Sequence, residues 1–172
     1  MYRGYDLATE LSAFGEFAPF VEHWRGKLGD GGRLPSWTDF RSEEMMHWWG
    51  RLSLLRYQDD PFDIHCDLFG TKASEWFGED MTNVWLGSND RYRLWWPQER
   101  EYYVRLKDGA LIGMSGGGVA IRGRYSHSIC SVELPIRNSQ GTLSLFSYYT
   151  ETPKGEVLEI DAEPAFEFSV RY

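Results

Sequence analysis

Apolar residues recur over the first 28 positions at spacings of three and four or their sums: Leu7, Leu11, Phe14, Ala18, Val21 and Leu28 form the stripe of one helical face. Pro19 interrupts it. Proline suits the first turn of a helix and damages its interior, so the pattern predicts two helices, the second running over about 19–27. The Gly-Asp-Gly-Gly run at 29–32 ends it. Ser42 then reads as an N-cap, with Glu43 and Glu44 in a first turn where the helix dipole favours negative charge, and a short helix follows to about Trp49.

At Leu52 the period changes from 3.6 to 2. LSLLRYQ and FDIHCDLFG read as a hairpin around the Asp-Asp-Pro turn at 59–61. TKASEWFGEDM returns to helical spacing and stops near Gly78, and residues 90–107 predict an aromatic helix with a restart at Pro97. The remainder is strand-like: ALIGMSGGGVAI, YSHSICSVELPI and TLSLFSYYTE, joined by Arg-Gly-Arg and Arg-Asn-Ser-Gln-Gly. The tail from Thr152 alternates weakly, as an edge strand or a loose end would. The whole predicts an α+β domain with about five antiparallel strands and short helices packed on one sheet face. It divides into a helical extension over 1–18, a core domain over 19–151 and a tail over 152–172.

At 172 residues the chain is long enough for one well-buried core and short for two. Aromatics make up 16%, with eight Trp, so many large flat side chains must find a core, a pocket or an interface. The net charge of −8 and the scattered basic residues argue against nucleic acid and anionic membranes as partners. No run reaches the roughly 18 apolar residues of a membrane helix, and the N-terminus lacks a basic-then-apolar signal pattern, so a cytoplasmic protein is expected. Cys66 and Cys130 each lie in a strand-like run without metal-ligand spacing and read as buried reduced thiols.

Three motifs carry a resemblance. His-Trp-Arg at 23–25 precedes Leu-Pro at 34–35 and Asp-Phe at 39–40. Gly-Thr at 70–71 precedes Phe-Gly at 77–78 and Asp-Met-Thr at 80–82. Leu-Pro at 134–135 precedes Gly141. Their order resembles that of a family of short bacterial single-domain PAS-like proteins, over about residues 20–150. Asn83 stands where that family usually has glycine, and Asp67 where an arginine commonly precedes the Gly-Thr pair. The resemblance implies a PAS fold, with a concave space between sheet and helices that can hold a ligand. It implies no catalytic residues. Cys66 and Cys130 lack the Asn-Cys-Arg setting of light-sensing PAS proteins that bond a flavin, and no helix histidine reads as a clear haem ligand, so no cofactor is expected.

Alternation places Asp63, His65 and Asp67 on one strand face, where two carboxylates flanking an imidazole can hold a divalent metal or poise a base. The same alternation is what any half-solvated strand shows. His127 alternates with Tyr125 and Ile129 opposite Cys130, Val132 and Leu134, and can point into a cavity or simply lie exposed. GMSGGG at 113–118 lacks the Gly-Lys-Ser/Thr ending of a phosphate loop and reads as a bent or bulged strand. In a PAS-like frame the ligand-pocket candidates are Trp76, Phe77, Trp85, Tyr103, His127 and Tyr148. Adjacent residues on a helix point about 100° apart, so one member of each of the pairs Trp48/Trp49 and Trp95/Trp96 is expected to meet a ligand or a partner.

The first functional reading is a non-enzymatic sensory domain that binds a small molecule and signals by noncovalent contact with a partner protein or a second copy. The second is a ligand-free dimerisation or interaction module, which a filled interior would favour. The third is a small cone-fold enzyme of the isomerase type, needing Asp63, His65 or His127 in an aromatic cavity.

Overall fold

A computed structural model describes residues 1–90, 96–121, 124–153, 156 and 160–169, without the side chains of 120–121 and 124–126. The Arg-Gly pair at 122–123, Trp95, the first residues of the 90–107 segment and much of the tail lie outside the described residues.

The alternating runs pair first with their chain neighbours. β2 (Leu52–Asp59) and β3 (Phe62–Phe69) form the hairpin around the Asp-Asp-Pro turn. β5 (Ile112–Ile121), β6 (Arg124–Arg137) and β7 (Leu143–Thr152) form an antiparallel meander, and β7 closes onto β2. The glycine run lies within β5, with a register shift at Val119/Ala120.

Three more strands enlarge this core. The two-residue β4 (Val84–Trp85) extends β3, β1 (Tyr2–Tyr5) pairs with the free edge of β5, and β8 (Phe166–Phe168) pairs with β1. Among the described residues the sheet therefore has eight strands in the order β4-β3-β2-β7-β6-β5-β1-β8, all antiparallel, instead of about five. The N-terminal segment is not a purely helical extension. Its first residues complete the β5 edge, and the helical part begins as a 3-10 turn at Leu11–Phe17 before α1 (Ala18–Arg25).

Helices cover both faces of the sheet, against the expectation of one. Strand alternation explains why. Cys130, Val132, Leu134 and Ile136 of β6 point to the face where α1 packs, and Trp24 of α1 is fully buried with its Nε1–H donating to the Pro135 carbonyl oxygen at 2.9 Å. Ser131 and Glu133, between them in sequence, point to the opposite face, where α4 (Trp96–Gly109) lies with Tyr102 and Leu106 buried. Both sides of β6 are thus core, and neither is solvated.

Local turn chemistry holds the segment between β3 and β4. α3 (Thr71–Phe77) ends at Gly78 in the left-handed conformation, φ 75°. Asn83 adopts φ 64°, a region open to glycine and tolerated by asparagine. The charged turn at 42–45 is α2 (Ser42–Met45), a single turn with no side-chain cap from Arg41 or Ser42.

Every Phe, Tyr and Trp side chain among the described residues is buried or half-buried. Trp48 and Trp49 do not share a regular helix: they sit where α2 gives way to a 3-10 turn, so both are half-buried, Trp48 against Phe20 and His23, Trp49 against Trp37. Among the described residues Met46 is the one large exposed hydrophobic, at 68%.

Candidate functional site

The two sheet faces differ in side-chain size. On the α1 face, β5, β6 and β7 present Ile112, Met114, Val132, Leu134 and Phe146, which fill the layer. On the α4 face several positions carry small residues: Gly113 opposite Glu133, Ser115 opposite Ser131, Gly117 opposite Ile129, and Ser147 opposite Glu133. Gly113 is needed for close approach, since a Cβ there would stand 2.3 Å from the Tyr102 hydroxyl. Where α4 moves away from the strands, the small residues leave space.

That space is a cavity of about 180 Å³ between the sheet and the elements α3 and α4. Its polar floor is Ser115, Gly116, Gly117, Gly118, Ser131 and Glu133. Leu55, Cys66 and Met81 form an apolar wall, and the rings of Tyr2, Phe69, Phe77, Tyr103 and Tyr149 form an aromatic one. Glu99 enters from α4. Gly117 and Gly118 are exposed, and a Cβ built on Gly117 meets nothing within 4 Å, so the cavity opens to solvent at this end.

Glu133 is the most deeply placed charged group, 2% exposed. Its two oxygens accept hydrogen bonds from the Tyr102 hydroxyl and, at 2.6 Å, from Ser131 Oγ, which lies 2.7 Å from Ser115 Oγ. Burial pushes its carboxyl up to about 7 against the pull of those two donors. Half-buried Glu99 is likewise raised to about 7, by burial first and by the Glu133 charge, while a hydrogen bond from Tyr2 opposes the rise. Burial raises the Tyr57, Tyr102, Tyr103 and Tyr149 phenols, so all four are neutral donors. Tyr57 donates to the Tyr103 carbonyl oxygen at 3.2 Å and tethers β2 to α4.

Of the six pocket candidates, the structure brings Phe77 and Tyr103 to the cavity lining. The other four lie elsewhere. Trp76 is buried on α3, its ring under Arg51 and Lys72, because residues one apart on a helix diverge. Trp85 packs on His65 at 4.6 Å and beneath Arg56. His127 is paired at 2.5 Å with Glu151 towards the end of its strand. Tyr148 points to the α1 face and packs against Phe17 and Phe20, while its neighbour Tyr149 takes the cavity position.

The Asp63, His65 and Asp67 set does not converge on a common point. Asp63, 5% exposed, accepts from Ile64 N–H and Gly87 N–H at 2.7 Å and from Ser88 Oγ at 2.9 Å, and so anchors the loop after β4. Asp67 pairs with His65 and with Arg56. Among the described residues no group of three metal-ligating side chains is assembled. No helix among them is long and apolar enough to cross a membrane.

Sequence reasoning missed Glu99, Glu133, Ser131 and Tyr149. A signal was present for two of them, since Ser131 and Glu133 interrupt an otherwise apolar strand at alternate positions. Compared with known proteins, the chain matches no family model, no curated protein and no solved structure.

Proposed function

We propose that this chain is a PAS-like sensory domain whose cavity binds a small ligand, and that occupancy is passed on by noncovalent contact with a partner protein or a second copy. The observation that carries the reading is the cavity itself: a close-packed protein leaves few voids larger than a water molecule, and this one collects two carboxyls, two serine hydroxyls and an aromatic wall on its surface. One of the three resembling motifs lies beside it. Phe77 and Met81, from the segment that looks like the family's strand-to-helix passage, contribute to its wall, and Gly78 and Asn83 hold that passage in left-handed turns. α4, which carries Glu99 and Tyr103, is the element a ligand would press against and the natural reporter of occupancy.

A ligand-free interaction module would be favoured by a filled interior and an exposed aromatic surface. The described residues instead combine an open interior with a single exposed large hydrophobic, Met46. An isomerase-like enzyme would have to work through Glu99 and Glu133 in place of Asp63, His65 and His127, since raised carboxyls in an aromatic cavity suit proton transfer. Incubating the recovered ligand with fresh protein separates these: an unaltered compound marks a receptor, and a new species marks an enzyme.

The test of the main reading is Gly117→Val, which places a branched side chain, with open space at its Cβ, on the exposed edge of the cavity lining and favours the extended backbone. Native mass spectrometry before and after denaturation is expected to show a bound small-molecule mass on wild type and a reduced one on G117V, with the variant folded. Equal ligand occupancy in the two proteins would place binding elsewhere. Apo masses from both, with no thermal shift of wild type by benzene-sized fragments, would count against ligand binding altogether.

A further inference from the structure

The cavity has one charge sign. Glu99 and Glu133 line it, and no Lys, Arg or His does among the described residues. The groups that face Glu133 are neutral hydroxyls, Tyr102 on α4 and Ser131 on its own strand, and the one other ionisable carboxyl near it is Glu99. Around it Tyr57, Tyr103 and Tyr149 stand as neutral phenols. A carboxylate removed from water without a counter-ion is costly, so structures supply a cation or the group takes up a proton. Here the described residues supply hydrogen-bond donors and no cation. The remaining wall is partly aliphatic and partly aromatic, and aromatic rings attract positive charge through their quadrupoles when water is excluded. The volume sets the size: a cavity of roughly 150 Å³ accommodates benzene, and this one is about 180 Å³.

Resting on the ligand-binding reading above, the geometry points to a small organic cation as the ligand: a protonated amine on an apolar body of about benzene size, its ammonium between Glu99 and Glu133 and its body against Tyr2, Phe77, Tyr103 and Tyr149. The ammonium completes the ion pair that the protein leaves open. Free carboxylates and phosphates are excluded by the same charges. Neutral alcohols fit the space and the hydroxyl floor but leave the carboxyls without a counter-ion. Because both carboxyls are partly protonated near neutral pH in the empty cavity, amine binding displaces protons, and affinity rises with pH between about 5 and 8.

The experiment compares matched trios of amine, alcohol and carboxylate on butyl, phenyl and cyclohexyl frames, titrated calorimetrically into the whole protein at pH 5, 6.5 and 8. On the best-fitting frame the amine is expected to bind at least tenfold more tightly than the alcohol at pH 8, with the gap closing towards pH 5 and with net proton release in buffers of differing ionisation enthalpy. Glu99→Gln and Glu133→Gln should each lower the amine-to-alcohol ratio; Glu99 is half-buried, so its variant is available should the deeper substitution impair folding. An alcohol that matches the amine at pH 8, or a carboxylate that binds best, would overturn the cation assignment and leave the ligand-binding reading standing. No binding by any member of any trio, with G117V behaving as wild type, would overturn both.

Discussion

Glu133 offers a sharp physical test, because its burial should be visible as a pH-dependent stability. Its carboxyl is held at about 7 in the folded chain against an ordinary value near 4.5. Between those values the folded state holds a proton that the unfolded state has released, so stability falls as pH rises through this window and levels off above about 7. At about 1.4 kcal/mol per pH unit the full effect is about 3 kcal/mol. For a domain of this length each kcal/mol moves Tm by about 2–4 °C, so the effect is about 6–12 °C. Glu133→Gln keeps the shape and, with Ser131 and Tyr102 hydroxyls able to turn, keeps the hydrogen bonds while removing the titration. Thermal melts of both proteins from pH 4.5 to 8 should therefore converge at acid pH and diverge as pH rises, with wild type losing 6–12 °C more than the variant. Part of that difference belongs to Glu99, whose carboxyl is raised partly by the Glu133 charge, and adding Glu99→Gln to the variant isolates the share. Other titrations, such as that of His23, whose pKa is lowered by burial, are common to both proteins and cancel in the comparison. Parallel melting curves within about 2 °C, or a wild type that gains on the variant with rising pH, would refute a carboxyl buried without a counter-ion.

Other consequences follow from the fold. Asp63→Ala removes the acceptor of three hydrogen bonds at the β4 loop and should cost about 2–3 kcal/mol in a denaturant titration; a loss under about 0.5 kcal/mol would show that the loop does not depend on it. Trp24→Phe leaves the Pro135 carbonyl without its donor and opens space under β6, for an expected loss of about 2–4 kcal/mol in the same assay, with α4-face ligand binding retained. Cys66 and Cys130 are buried thiols, and burial pushes Cys66 up to about 12, so neither should react with an aromatic disulfide reagent at pH 8 until the protein is unfolded; rapid labelling of native protein would contradict this.

Much of the molecule was written locally. The hairpin at 52–69, the meander at 112–152 and the helix ending at Gly78 follow from alternation, turn residues and helix stops, because each depends on interactions within some tens of residues. β1 was not legible. Tyr-Arg-Gly-Tyr has neither length nor alternation enough to announce a strand, and it becomes one only by pairing with β5, more than a hundred residues away. The helices on the second face were missed for a related reason: the polar side of β6 reads as solvated until α4 is laid across it.

The candidate site divides in the same way. Phe77 and Tyr103 could be named from the sequence, yet Tyr148 and Tyr149 exchanged roles, because one residue's change along a strand reverses the face and only the register with Ser131 and Val132 decides which ring enters the cavity. What the sequence by itself determined was the α+β class, the antiparallel strands, their turns and an aromatic content too large for a surface. What the tertiary structure decided was which alternate positions are covered. A glutamate in a strand is unremarkable in water. The same glutamate beneath a helix, facing serines, glycines and phenols with no cation beside it among the described residues, holds its proton near neutrality and marks the candidate site, because burial alters charge only through neighbours that the fold brings in from elsewhere in the chain.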